Sequence, residues 1–276
     1  MSAGQNLLRQ VHNAAPGFAE LLDRAAVLLT TATKLDDKQA EAHFALGDCQ
    51  LLRGKNAEAQ VAFDNAVKHA EGASPDRQFQ FNLSQSLAYL RAPRDDAKAL
   101  AAAERAVALQ RSDAAGHFAR GLSLRNLKKV NDAISAFNDS IAVQPKHVGA
   151  LLARSQLIIE HQGSTSKQIL QAAQDIETAL AAATTDELTA EGHYVRSLVS
   201  LKTHVSNVTQ AATAEPALLK AQRDLLQAIK LVPTNNVYAQ AATELFDYAA
   251  KFAWSDAQRK AESETLQRDL KSLRKR

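Results

Sequence analysis

Apolar residues along this chain recur at three- and four-residue intervals, in runs of about a dozen residues broken by short polar turns. One run carries Gly47 and leads to Ala59, Phe63 and Ala66; another carries Gly121 and leads to Ala133 and Phe137, ending at Pro145. In both, the Ala follows the Gly by 12 residues. Such spacing places apolar side chains on one face of an α-helix, so each stretch predicts two amphipathic helices joined by a turn. The small residue on the first helix and the Ala on the second permit close approach, and the Phe fills the space between them.

The pattern is periodic. A-H-F-A-L-G at 42–47 returns as G-H-F-A-R-G at 116–121 and G-H-Y-V-R-S at 192–197, with His43, His117 and His193 separated by 74 and 76 residues. That is twice a unit in the mid-thirties, and intermediate copies stand at 81–90 (F-N-L-S-Q-S-L-A-Y-L) and 150–159 (A-L-L-A-R-S-Q-L-I-I).

These residues resemble the tetratricopeptide repeat family, whose pattern is W-x2-L-G-x2-Y, then A-x3-F, then P. Residues 40–73 follow it through His43, Leu46, Gly47, Gln50, Ala59, Phe63 and Ala66. Residues 114–147 do so through His117, Arg120, Gly121, Leu124, Ala133, Phe137 and Pro145. A weaker copy at 79–113 turns at Ala92-Pro93-Arg94 and carries Ala99, Ala103 and Ala106; another at 148–184 uses Leu151, Arg154, Ser155, Ile158, Ile169, Ala173 and Ile176. Residues 6–39 read as a degenerate opening unit turning at Pro16-Gly17, with Ala25, Leu29 and Ala32 on its second helix. In the unit at 189–234, Ser197 and Ala221 lie 24 residues apart, so 202–216 is surplus, either extended helix or inserted loop. Residues 235–276 supply a last pair ending in a polar helix, as the exposed end of a repeat stack requires. The resemblance implies one all-α, right-handed solenoid over 1–276, with about five or six helical pairs and a C-terminal capping helix.

Composition agrees. Alanine supplies roughly a fifth of the residues, while Gly (10) and Pro (6) are scarce and aromatics make up 5%. Ala is the best helix former and Gly and Pro the worst. The net charge of +3 comes from the end: residues 251–276 hold eight basic against four acidic side chains. The remaining body is close to neutral, which argues against nucleic acid as a partner. Cys49 stands alone, excluding an internal disulfide or a thiolate cluster. The start lacks a leader pattern and no apolar run is long enough to span a bilayer, so the expectation is a cytoplasmic protein or a module cut from a larger one.

The chemistry-bearing residues point away from catalysis. The three repeated histidines occupy the packed slot held by Trp in the family pattern and lack His-x3-His spacing, so they are expected to be core residues with a hydrogen-bonded ring nitrogen. No phosphate loop or nucleophile elbow is present, and Cys49 reads as a small buried hydrophobe. No enzyme, cofactor or metal is expected, the alternative being an enzymatic or nucleotide-binding role in the 202–216 surplus. The resemblance implies a protein-interaction scaffold whose first helices line a peptide-binding surface. Residues one, five, and eight or nine after the His slot share that face. They are Phe44, Asp48 and Leu51; Phe118, Leu122, Arg125 and Asn126; Leu152 and Gln156; Tyr194 and Leu198. The competing reading of Phe44, Phe118 and Tyr194 is sideways packing on a neighbouring helix. Family members that clamp a terminal carboxylate place Asn two residues after the slot; Ala45, Ala119, Ala153 and Val195 stand there instead. The C-terminal stretch from Ser255 alternates in charge, with Arg259 near Glu262, Glu264 near Arg268 and Asp269 near Lys271, as in a solvated helix with i, i+3 and i, i+4 pairs. It ends in the basic K-S-L-R-K-R, and weak self-association through this helix is a further expectation.

Overall fold

A computed structural model describes residues 17–161 and 165–273, and among these the regular elements are thirteen α-helices. Two compact units divide the chain, Met1–Gln144 and Pro145–Arg276.

In the first unit the helices are α1 (Phe18–Leu35), α2 (Ala40–Leu52), α3 (Asn56–Lys68), α4 (Pro75–Tyr89), α5 (Asp96–Leu109), α6 (Ala114–Asn126) and α7 (Val130–Val143). They pack as the pairs α2/α3, α4/α5 and α6/α7, each pair also touching the next. Local signals set their ends. Ser74 accepts a hydrogen bond from the Arg77 N–H with Pro75 in the first turn, and Asp95 and Asp113 do the same for α5 and α6. Each such cap is worth about 1 kcal/mol. The α4 helix begins four residues earlier than the spacing predicts, because this cap and Pro75 start it. The α2–α3 and α6–α7 turns are copies of one another: Gly54 and Lys128 both adopt positive φ, at 74° and 63°. The next residue's N–H reaches back to Gln50 O and Leu124 O respectively.

Within the pairs, the predicted small-against-large packing is present. Phe63 and Phe137 are fully buried. A methyl group placed on Gly47 or Gly121 would lie 2.6 Å or 2.4 Å from the facing Phe ring, so only glycine fits. In α4/α5 the small residue is Ser86, the facing position shrinks to Ala103, and the serine hydroxyl donates to Ala99 O at 2.8 Å. The α1 helix buries Leu22 and Ala26 towards α2, while Leu21 and Leu28 on its other side are exposed. The first helix expected for the degenerate opening unit, with Pro16 of its turn, falls outside the described residues.

The second unit contains α8 (Val148–Glu160), α9 (Ser166–Ala182), α10 (Asp186–Ser206), α11 (Ala211–Leu231), α12 (Asn236–Lys251) and α13 (Ala257–Leu273). The facing residues here are Ser155 with Ala172 and Ile176, then Ser197 with Ala221 and Leu225, all buried. Ala172 rather than the expected Ala173 takes the packed slot: the Ser155 hydroxyl donates to Ala172 O at 3.1 Å, while Ala173 is only half-buried. The 202–216 surplus is not an inserted loop. It lengthens α10 and α11 to 21 residues each and leaves a turn at 207–210. His204 locks this extension, donating through Nδ1 to Ala214 O at 2.8 Å and accepting from the Tyr248 hydroxyl at 2.9 Å.

The charged α13 helix inserts Leu270 into the core of this unit. Its expected pairs along the helix give way to pairs across it: Arg259 bonds to buried Glu215, and Glu262 to Arg223, both partners on α11. Burial alone would raise the carboxyl of Glu215; its bonds from the Ser255 N–H and Arg259 more than offset this and hold it below the ordinary range. The last three residues of the basic terminus lie outside the described residues.

Candidate functional site

The three repeated histidines behave as packed residues with local partners. His43 and His117 are buried and donate through Nε2 to the carbonyls six residues earlier, Asp37 O at 2.9 Å and Arg111 O at 2.8 Å. His193 instead uses Nδ1, 3.0 Å from Asp224 Oδ1. Cys49 is buried with its thiol 3.4 Å from Leu22 O, and burial pushes that thiol up from its ordinary range, away from nucleophilic thiolate. Among the described residues no group of three or more His, Cys, Asp or Glu is placed to hold a metal ion. No helix there is long and apolar enough to cross a membrane.

The predicted binding residues fall into three groups. The aromatic ones are half-buried and pack sideways while keeping one side open. Phe44 lies 5.7 Å from Phe63 and 5.1 Å from Phe81, ring centre to ring centre, and Phe118 lies 6.0 Å from Phe137. Tyr194 lies 5.1 Å from Tyr238. A second group is accessible. Asp48 is exposed, and Leu51, Leu122, Arg125, Asn126, Gln156 and Leu198 are half-buried. Asn126 donates to Asp96 at 2.9 Å and Gln156 to Glu160 at 2.7 Å. Leu152 alone makes the third group: it is fully buried, so it is a core residue and not part of an open face. The spacing places it correctly on the helix, but neighbouring helices close over that position.

In the first unit one further apolar side chain stands at an equivalent position. Leu87, at the position in α4 that corresponds to Asp48 and Leu122, is 37% exposed. Its helix lacks the histidine motif, which is why the hexapeptide does not register it. Arg77 lies 5.0 Å from the Phe44 ring centre and 5.1 Å from that of Phe81, and bonds to Glu41. Asp48 sits beside this group. Surrounding protein displaces enough water to raise its carboxyl, although the Arg77 charge pulls the other way.

In the second unit the helix pairs are joined by buried charge. Arg154 grips Asp175 with two bonds of 2.8 and 2.7 Å. Arg196 grips Asp224 at 2.7 and 3.0 Å and reaches Glu177 at 3.2 Å, linking α10 to both α11 and α9. Burial works to raise the Asp224 carboxyl, and the bonds from His193 and Arg196 reverse that and hold it below its ordinary value.

Similar proteins bear on the fold that holds these residues. No family model matches the sequence, and a search of curated proteins finds no match. Solved structures do match. The type IV pilus biogenesis factor PilW is 13% identical, with a TM-score of 0.59 over 86% of this chain and 96% of its own. YrrB, described as a TPR protein with an unusual peptide-binding site, is 13% identical, with a TM-score of 0.50 over 78% of this chain and 97% of its own. TTC0263, a TPR protein of Thermus thermophilus, is 16% identical, with a TM-score of 0.52 over 75% and 98%. At this identity the likeness establishes the architecture: the chain has a tetratricopeptide-repeat-like fold of consecutive helical pairs.

Proposed function

We propose that this chain is a non-catalytic protein-interaction scaffold that takes a peptide or helix on the open face of its first helices. One observation carries the reading. On α2, α4 and α6 the side chains around Phe44, Leu87 and Phe118 stay accessible, while the facing seams hold fully buried Phe63 and Phe137. An apolar strip with polar handles at Asp48 and Arg125 suits a segment presenting apolar side chains at regular intervals. YrrB supports the reading by analogy, since its description includes a peptide-binding site. The extended α10/α11 pair suits a structural role for 202–216, because His204 there is spent on Ala214 and Tyr248.

The test is capture from native lysate by the wild type and by a Phe118→Ala, Tyr194→Ala variant of unchanged helicity. A partner retained by the wild type and lost by the variant supports the scaffold. Equal capture by both, or none by either, contradicts it.

A further inference from the structure

The first unit carries a cavity on the side of α4 that the open face does not use. Gln85 and Tyr89 stand two residues before and after Leu87, which turns them to the opposite side of that helix. There they line a cavity of about 240 Å³ with Asp64 of α3 and with Lys98, Ala101 and Arg105 of α5. Pockets that hold drug-sized ligands span roughly 300–1,000 Å³, so this one fits a smaller group.

Hydrogen bonds fix the polar side chains in place. Gln85 and Tyr89 are 7% and 6% exposed, and each donates to one carboxylate oxygen of Asp64, at 2.7 Å and 2.6 Å. Arg105 donates through Nε to Asn82 Oδ1 and through Nη2 to Gln85 Oε1, both at 2.7 Å. Its acceptors are therefore neutral amides. The arginines held at other seams, Arg154, Arg196 and Arg223, each close on a carboxylate. Arg105 has no carboxylate partner among the described residues, and its Nη1 donors are unused there. A guanidinium fork that is held still and lacks a counter-ion is preorganised for an oxyanion.

Lys98 supplies a second cation. Its ammonium lies 5.2 Å from the Tyr89 ring centre, and its paired carboxylate, Asp95, stands 3.7 Å away, beyond hydrogen-bond reach. Lys98 and Arg105 are about two turns apart on one face of α5, and the small Ala101 between them keeps the space open. Asp64 forms the other wall, with both oxygens already accepting bonds, so two cations face one hydrogen-bonded carboxylate.

We propose that this cavity binds an oxyanion, the carboxylate or phosphate group of a small ligand, between Arg105 and Lys98. The site is separate from the groove, and neither reading depends on the other.

The test is titration of the 15N-labelled full chain with sodium phosphate, with sodium acetate and, at equal ionic strength, with sodium chloride. The Arg105 Nε–H resonance is expected to shift saturably with phosphate or acetate and not with chloride, and the anion that binds more tightly identifies the group. Lys98→Gln, a change at an exposed side chain, should weaken that anion at least about fivefold, because one charge-assisted contact is lost. Arg105→Gln should abolish binding, followed at the Lys98 and Gln85 side-chain resonances. No saturable shift from either anion, an equal shift from chloride, or unchanged affinity in Lys98→Gln overturns the proposal.

Discussion

The α6/α7 pair of the first unit and the α10/α11 pair of the second solve the same packing problem with different chemistry. In α6/α7 a Phe ring lies on a glycine, and the ionic contact beside it is loose, with Arg120 3.8 Å from Asp139. In α10/α11 the small residue is Ser197, the facing residue is Leu225, and Arg196 closes on Asp224 at 2.7 Å. Where the first helix gives up the glycine, the large residue opposite shrinks and a charged pair supplies the fit. Summed volume across the seam is thus kept roughly constant, as close packing demands. The difference is that one seam depends on shape and the other on charge.

The largest expected effect comes from breaking each seam. Phe137→Ala should cost about 3–5 kcal/mol, because it leaves a cavity against Gly121. Asp224→Ala should also cost about 3–5 kcal/mol, because Arg196 and His193 lose the carboxylate that compensates them. Urea denaturation measures both. Phe137→Leu should avoid much of the first loss, whereas Asp224→Asn should avoid little of the second if the pair is ionic. Gly121→Ala comes next: a methyl group 2.4 Å from the Phe137 ring overpacks the seam by about 1–3 kcal/mol. Ser155→Gly should cost less, since there is no ring opposite it.

Acid should separate the two seams. The Asp224 carboxyl lies below its ordinary value in the folded protein. Its contribution is therefore complete above about pH 4 and is lost as pH falls through the lower folded value. Trp254, the single tryptophan, packs in the second unit and reports on it directly. Its fluorescence should show acid destabilisation that Asp224→Asn makes shallower. A slope unchanged in that variant assigns the acid sensitivity elsewhere, Glu215 being the next carboxylate held low. The smallest effect is a gain: Lys128→Gly relieves the positive φ that Gly54 accommodates in the matching turn, stabilising by about 0.5–1 kcal/mol.

The legible parts of the sequence are those where one residue type has one physical role. Gly47 with Phe63 and Gly121 with Phe137 announce helical pairs because their spacing is rigid and their sizes complementary. The histidine slot is legible for the same reason. The Ala172 slot escapes by one residue because a longer connection shifts its count from Ser155, and Ala is too common here to mark a position. Leu152 is misplaced because periodicity gives the face of a helix but not which neighbour covers it. The charge pairs of α13 go astray because i, i+4 spacing sees only its own helix, whereas Arg259 and Glu262 reach to α11. Leu87 cannot be found from the hexapeptide, since its helix lacks it.

The scaffold reading is tested most directly by photo-crosslinking in native lysate. A benzophenone amino acid is placed singly at Leu122 on the open face and at Val61, an exposed residue on a second helix. The account predicts a discrete protein adduct from position 122 that is absent from position 61 and is competed away by unlabelled wild-type chain. Equal adducts from both positions, or none at 122, would contradict it.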